Sequence, residues 1–195
     1  MQPYPHLKCG DIVGVKKRGI IGRLMKRAIY PPTELFHFFL IGDWLPWDDD
    51  YVILESIGKG IAVGRLSFYD PADLTIFRRL LPGEVAPHLI RRQAAAELTR
   101  VGRARYDWLL VIQTALAALG LLLRGKRPPW APEQFPYGRN KAYICTEAVV
   151  AAWRAVGFPL VPDNVMPLPA AIKRGLFFGI LQHIYPVSAG DMEAI

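Results

Sequence analysis

The chain has 195 residues and a mass of 21.9 kDa, and 52% of its residues are hydrophobic and 21% charged. This globular composition excludes a coiled coil, a collagen-like fibre and a disulfide scaffold, while 17 glycines and 17 prolines predict many turns in a mixed α/β or α+β chain. The formal charge of +7 favours an acidic cell-wall polymer, anionic lipid or nucleic acid as partner, although a basic protein without a polyanionic partner is equally compatible with it.

Four short strands are predicted in the N-terminal third of the chain. Each is an apolar run bounded by glycine, proline or aspartate, as is typical of strands between turns. A basic segment at 16–27 predicts a short amphipathic helix, and 42–50 predicts a turn. The strands are expected at 12–15, 35–41, 51–55 and 61–63.

The middle of the chain predicts helices. Residues 83–100 are rich in helix formers, and 108–123 is an apolar run that is short for a membrane span, which needs ~20 residues. We expect this run to form a helix that packs in the core or lies on a membrane surface. A proline-rich loop at 125–140 precedes a further helix, which is expected from about Cys145 to Val156.

The number of cysteines and the N-terminal sequence indicate the cellular location to expect. Cys9 and Cys145 are too few for a disulfide framework. The N-terminus lacks the basic-then-apolar order of a signal peptide. We therefore expect reduced thiols in a cytoplasmic or virion-associated protein.

The position of Cys145 in the sequence suggests a catalytic role for its thiol. It falls in the first turn of its predicted helix, where backbone N–H groups are unpaired and the helix dipole is positive. Both features favour a thiolate and can lower a cysteine pKa well below ~8.5, and the same N–H groups can stabilise an oxyanion. The alternative is an ordinary buried cysteine.

A thiolate nucleophile needs a base and a group that orients the base. If 35–41 and 51–57 form an antiparallel hairpin centred near Pro46, His37 lies opposite Glu55. The sequence therefore predicts a glutamate that holds the imidazole. A register slip of one residue would instead turn Glu55 to the other face. Three other acidic residues remain open for the orienting role: Asp43, Asp50 and Asp70.

Signatures of several other chemistries are absent from the sequence. It contains no phosphate-binding loop, no zinc-protease helix motif, no Cys-x-x-Cys pair and no serine nucleophile elbow. The four histidines lack metal-ligand spacing, and the basic segment at 16–27 matches no nucleic-acid motif. We expect no cofactor, no metal and no specific nucleic-acid partner.

Six short motifs follow one another in a distinctive order. They are Gly10-Asp11-Ile12-Val13, His37-Phe38-Phe39-Leu40-Ile41-Gly42, Val52-Ile53-Leu54-Glu55-Ser56, Gly60-Ile61-Ala62-Val63, Tyr106-Asp107 and Tyr143-Ile144-Cys145-Thr146-Glu147-Ala148-Val149. Their order and spacing resemble the circularly permuted NlpC/P60 family of papain-like proteins, the YiiX- and YycO-like group. That family has a G-D-[IV] strand, a strand that starts with histidine, a strand that ends in an acidic residue, a glycine-led strand, a Y-D pair and a [YF]-x-C-[ST]-E motif.

The resemblance implies a fold and a set of site residues. The fold is α+β and papain-like, with an antiparallel sheet packed against helices and the histidine ahead of the cysteine in the chain. The implied nucleophile is Cys145, the base is His37 and the orienting residue is Glu55. Tyr106 would line the substrate cleft. A departure from the family pattern is Phe36, where members usually have a small or polar residue before the histidine.

The similarity covers residues 8–157. We therefore expect a single domain over 1–195, with its core at 8–157 and a C-terminal extension at 158–195. The extension is proline-rich and contains one basic apolar segment at 170–184.

Relatives in this group cleave peptidoglycan peptides, or deacylate and transacylate lipids. The resemblance thus implies a thiol-dependent hydrolase that cleaves an amide bond, with a cell-wall peptide as substrate and a thioacyl-enzyme intermediate. A lipid acyl-ester hydrolase or acyltransferase at an anionic membrane surface is the second expectation, because the apolar segments at 108–123 and 170–184 suit such a surface. The third is a non-catalytic structural or virion module with a relic site.

Overall fold

The computed structural model describes residues 4, 6–16, 33–81, 83, 86–101, 107, 116, 119–120, 123–125, 128–134 and 144–185, and over these ranges the protein is α+β. One antiparallel sheet has the strand order β4-β3-β2-β1-β5-β6. Its strands are β1 (Ile12–Lys16), β2 (Leu35–Leu45), β3 (Asp50–Ile57), β4 (Gly60–Arg65), β5 (Leu74–Arg79) and β6 (Leu181–Tyr185). The described α-helices are α1 (Pro87–Val101), α2 (Cys145–Ala155) and α3 (Pro169–Phe177), and 3-10 helices span Leu66–Phe68, Pro71–Asp73 and Pro132–Gln134.

Both faces of the sheet are covered by apolar side chains. In β2, Phe38 and Leu40 pack into one core cluster, whereas Phe39 and Ile41 pack into another. This alternation follows from the two-residue period of a strand. The first cluster joins the sheet to α1, α2 and α3, and α2 packs against β2 and β3. A strand buried on both faces is a continuous apolar run, which explains why the sequence predicts β2.

The turn into β1 is held by Gly10 and Asp11. Gly10 has φ of +85°, and a Cβ there would lie 2.7 Å from the backbone oxygen of Arg91, so α1 packs closely only against glycine. The carboxylate of Asp11 is fully buried and accepts hydrogen bonds of 2.8 and 2.6 Å from the guanidinium of Arg78 on β5. The backbone N–H of Lys8 donates another of 2.8 Å. The Gly-Asp motif therefore joins β1, β5 and α1.

Several predicted boundaries are wrong. β2 continues to Leu45, so part of the turn expected at 42–50 is strand. A bulge between Ile41 and Trp44 interrupts the apolar pattern without ending the strand, which explains the error. Lys16 ends β1 instead of starting the amphipathic helix expected at 16–27, and the rest of that segment lies outside the described residues. α1 begins four residues later than expected, at Pro87.

Two strands were not predicted. β5 lies between β1 and β6 in the sheet, and β6 comes from the segment expected to be an extension. Leu160, Val161 and Ile172 are buried in the first core cluster. The described part of 158–195 therefore belongs to the same sheet and core as the rest of the chain.

Most of the apolar helix expected at 108–123 lies outside the described residues. Of its described leucines, Leu116 is 61% exposed, Leu119 51% and Leu123 80%, so the core packing expected for this segment is wrong for them. The loop expected at 125–140 is described only at 125 and 128–134. Among the described helices, none combines the length and apolarity that a membrane crossing requires.

Candidate active site

The first turn of α2 presents Cys145 together with backbone N–H groups that lie ahead of the helical hydrogen bonds. The helical hydrogen bonds begin with the N–H of Ala148, which donates to the carbonyl oxygen of Ile144 at 2.9 Å. The N–H groups of residues 145–147 therefore precede this ladder. The carboxylate of Glu147 accepts a hydrogen bond of 3.4 Å from the N–H of Ile144 and complements the positive helix end. Helix start and cysteine thus coincide, as the sequence predicts.

Cys145 lies beside the beginning of β2. Its side chain is largely buried, with the residue 8% exposed, and its Sγ lies 3.9 Å from the carbonyl oxygen of Phe36. The next residue on the strand is His37, whose side chain is 22% exposed. The contact between α2 and β2 therefore brings together two residues that are 108 positions apart in the chain.

His37 and Glu55 meet across β2 and β3, although the expected register is wrong by two residues. Glu55 pairs with Phe39 in the ladder, not with His37. Because side chains alternate with a period of two, this shift leaves His37 and Glu55 on one face. The two are diagonal neighbours, and His37 Nε2 lies 2.7 Å from Glu55 Oε2.

The misplaced turn accounts for the register error. The hairpin turn lies at 46–49, because Leu45 pairs with Asp50. Its centre is thus beyond Pro46, where the expected hairpin is centred. The bulge between Ile41 and Trp44 reduces this displacement of the strand pairing by one residue. Glu55 therefore pairs with Phe39, two residues beyond His37.

The surroundings of His37 favour its charged form. Burial opposes protonation, but hydrogen bonds with Cys145 and Glu55, and the charges of both, raise the pKa of His37 to about 9. Since Nε2 is bonded to Glu55, Nδ1 is the ring nitrogen that remains for the sulfur. His37 therefore lies between a sulfur and a carboxylate, and both partners favour its protonated form.

Sequence reasoning missed Tyr69. Its hydroxyl donates a hydrogen bond of 2.7 Å to the same Glu55 Oε2 that bonds His37. Its ring stacks on His37 with centroids 6.3 Å apart and contacts Phe39 at 4.9 Å. Burial and the adjoining Glu55 raise the pKa of Tyr69, which keeps it a donor. No local sequence pattern identifies Tyr69, because its contact with Glu55 depends on how the chain turns at Leu66–Phe68, directly before it.

Glu55 is kept ionised by these two donors. Burial raises the pKa of its carboxyl, but the hydrogen bonds from His37 and Tyr69 and the charge of His37 outweigh burial and lower that pKa overall. The other acidic candidates have different partners. Asp43 pairs with Arg92, Asp50 accepts a hydrogen bond from the Ser67 hydroxyl, and Asp70 accepts one from the Ala72 N–H.

Tyr106 and Cys9 are the remaining candidates. Tyr106, expected in the substrate cleft, lies outside the described residues. Cys9 is a free, half-buried thiol, and burial together with the nearby charge of Asp43 raises its pKa to about 11. No group of three or more histidine, cysteine, aspartate or glutamate side chains in the described ranges could hold a metal ion.

The described motifs fall on separate elements that meet in the fold. Asp11 precedes β1, His37 lies on β2, Glu55 on β3 and Cys145 on α2. A thiol, an imidazole, a carboxylate and the backbone N–H groups of a helix N-terminus together suit nucleophilic attack on a carbonyl carbon. No protein-family model matches this chain, and no curated protein matches it either.

Proposed function

We propose that this protein is a thiol-dependent hydrolase of the permuted NlpC/P60 type with a papain-like fold. In this proposal Cys145 is the nucleophile, His37 the acid and base, and Glu55 the orienting residue. One observation carries the proposal: His37 bonds Glu55 at 2.7 Å and also bonds Cys145, and its pKa is raised to about 9. A base that contacts the nucleophile and is oriented by a third group is the usual means of activating a weak nucleophile.

The reaction would proceed in two acyl-transfer steps. The sulfur of Cys145 attacks the carbonyl carbon of an amide, and the first-turn N–H groups of α2 receive the negative charge on the oxygen. His37 gives its proton to the leaving nitrogen as the C–N bond breaks, which leaves a thioester on Cys145. Neutral His37 then takes a proton from water, the hydroxide attacks the thioester, and the carboxylic acid leaves as the thiol is restored.

The leading substrate is a peptide amide of the bacterial cell wall. The resemblance to wall-peptide hydrolases supports it, and the formal charge of +7 suits an anionic wall polymer. The fold leaves the sulfur accessible only in part, because Cys145 is 8% exposed. A slender peptide side branch suits such a site better than a bulky folded protein.

A lipid acyl ester is the second candidate. Leu116, Leu119 and Leu123 are spaced by three and four residues, and each is at least 51% exposed. Residues at this spacing share one helical face. Phe177 and Phe178, at the end of α3, are each 73% exposed. Exposed apolar side chains on a basic protein suit contact with an anionic lipid surface.

Hydrolysis assays with matched cysteine variants test the proposal. Wall stem peptides and acyl-lipid esters are each incubated with wild type, Cys145→Ala and Cys9→Ala, and products are measured by mass spectrometry. We expect Cys145→Ala to lower the rate by about 10⁴-fold or more, whereas Cys9→Ala keeps wild-type activity. A brief acid quench should show the substrate acyl group on Cys145.

Two outcomes would overturn the proposal. The first is full activity in Cys145→Ala. The second is an absence of turnover and of acylation at Cys145 with both substrate classes, which would favour a non-catalytic structural module. Turnover of wall peptides alone would select the amide substrate, and turnover of lipid esters alone would select the second candidate.

A further inference from the structure

The carboxylate of Glu55 is held at one of its two oxygens. In the described part of the chain, its side-chain donors are His37 and Tyr69, and both bond Oε2 at 2.7 Å. The other oxygen, Oε1, lies beside Gly64 of β4, where a Cβ would come within 3.4 Å of it. Glycine offers no side chain to hold that oxygen. The orientation of the carboxylate therefore depends on the two donors at Oε2.

The contact between Glu55 and His37 needs such a hold. Glu55 reaches His37 diagonally, since its partner in the ladder is Phe39, and diagonal neighbours lie farther apart than directly opposed residues. A glutamate side chain also loses conformational entropy when it is confined to one orientation. A second donor on the same oxygen restricts the carboxylate to the orientation in which it meets the imidazole.

The ring of Tyr69 is itself held in place by two side chains of β2. It packs on the fully buried Phe39 with centroids 4.9 Å apart. It also lies nearly parallel to the imidazole of His37, at an angle of 21° with centroids 6.3 Å apart. Because the hydroxyl is rigidly attached to the ring, this packing fixes the position from which the hydroxyl donates.

The turn that carries Tyr69 is anchored to β3. The hydroxyl of Ser67 donates a hydrogen bond of 2.6 Å to the carboxylate of Asp50, the first residue of β3. The N–H of Tyr69 closes the turn by donating to the carbonyl oxygen of Leu66 at 3.0 Å, and Leu66 is buried. Glu55 lies on the same strand. The turn therefore places the Tyr69 hydroxyl at a fixed position relative to the carboxylate.

We propose that Tyr69 is a positioning residue of this site, which acts through Glu55 to hold the imidazole of His37 beside the sulfur. Tyr69 transfers no proton in this role and only donates a hydrogen bond. The inference rests on the proposed function, because it assigns a further residue to the same site.

Alkylation of Cys145 by iodoacetamide measures this effect without any substrate. Tyr69→Phe keeps the ring and removes only the hydroxyl. We expect it to lower the alkylation rate near neutral pH by about three- to tenfold, the size typical for the loss of one hydrogen bond. The matched control is Tyr51→Phe, which removes a hydroxyl that donates to the carbonyl oxygen of Tyr4 at 3.3 Å in the same core cluster. This control should alkylate like wild type.

A double variant distinguishes positioning through Glu55 from a general effect on the fold. In Glu55→Ala the acceptor of the hydrogen bond is gone, so removal of the Tyr69 hydroxyl has nothing further to disturb. We therefore expect Glu55→Ala and the double variant with Tyr69→Phe to alkylate Cys145 at the same rate. A hydroxyl that only stabilised the fold would lower the rate by the same factor in both backgrounds.

Three results would overturn the proposal. They are an unchanged or faster rate in Tyr69→Phe, an equal loss in Tyr51→Phe, and independent effects in the double variant. Should Glu55→Ala fail to fold, as circular dichroism would show, the pH dependence of alkylation in Tyr69→Phe decides. The fall in rate on acidification should then begin at higher pH than in wild type, because loss of one donor raises the pKa of Glu55; an unshifted fall overturns the proposal.

Failure of the proposed function gives a different result. Wild type would then hydrolyse neither wall peptides nor lipid esters, whatever the order of the alkylation rates. If only the role of Tyr69 is wrong, wild type still hydrolyses its substrate, and Tyr69→Phe alkylates at the wild-type rate while His37→Ala does not.

Discussion

Replacement of Glu55 by glutamine should lower the pKa of His37 substantially. The amide is close in size to the carboxylate, so it fits between the same neighbours, but it carries no negative charge. The two side chains lie 2.7 Å apart and are 22% and 12% exposed, so solvent screens their attraction only partly. The charge of Glu55 is therefore well placed to stabilise the imidazolium.

The magnitude follows from the raised pKa of His37. A rise from 6.5 to about 9 corresponds to a net stabilisation of the imidazolium on the order of 3 kcal/mol, at ~1.4 kcal/mol for each pKa unit. Burial works against this rise, so the contributions of Glu55 and Cys145 together exceed that figure. In Glu55→Gln the opposing effect of burial remains and one of the two favourable partners is lost. We expect the pKa of His37 to fall by about one unit or more, that is, by ~1.4 kcal/mol or more.

Histidine ring resonances in NMR spectra, followed from acid to alkaline pH, give this pKa directly. The resonance of His37 is assigned by its loss in His37→Asn. Glu97→Gln is the matched control, because Glu97 pairs with Arg100 at the surface and the charge change is the same. The reasoning is refuted if His37 titrates near 6.5 in wild type, or if Glu55→Gln and Glu97→Gln shift it equally.

Three further predictions concern the same contacts. The pKa of His37 is higher in the folded state than its ordinary value, so its contribution to stability is complete below about pH 6.5 and is lost as pH rises through about 9. Urea unfolding should therefore show a loss of up to ~3 kcal/mol across this window in wild type that is absent in His37→Asn. Tyr69→Phe should raise the pKa of Glu55, measured by carbon NMR of the carboxyl, because one of its two donors is removed; an unchanged value would contradict the hydrogen bond. Asp11→Asn should destabilise the fold by ~3–5 kcal/mol in urea unfolding, since it removes the fully buried charge that pairs with Arg78, whose side chain is only 13% exposed, and a loss below ~1 kcal/mol would show that this pair is not structural.

The elements that could be predicted from the sequence are those with strong local signals. The apolar run from Leu35 to Ile41 identifies β2, because burial on both faces requires a continuous apolar segment. The helix that begins at Cys145 is marked by good helix formers and ends before Gly157, which has φ of +83°. In both cases the residues inside the element determine its type.

The parts that could not be predicted depend on contacts between distant residues. β5 and β6 form the edge of the sheet only through pairing with each other and with β1. The register of β2 and β3 depends on a bulge that no simple count of residues reveals. Even so, His37 and Glu55 meet, because the two-residue error preserves the face on which each side chain lies.

Tyr69 illustrates the same limit at the level of a single side chain. It bonds Glu55 across 14 residues, and no sequence motif identifies it. Its importance becomes visible only through the carboxylate oxygen that it shares with His37.

The most direct test of the central claim is the rate at which iodoacetamide alkylates each cysteine. The rates are measured from about pH 6 to 10 in wild type and His37→Ala, and the sites are identified by peptide mass. We expect Cys145 to react at least about tenfold faster near neutral pH in wild type than in His37→Ala, whereas Cys9, with its pKa raised to about 11, reacts slowly and at the same rate in both. Equal rates for Cys145 in wild type and His37→Ala would contradict the claim that His37 activates this thiol.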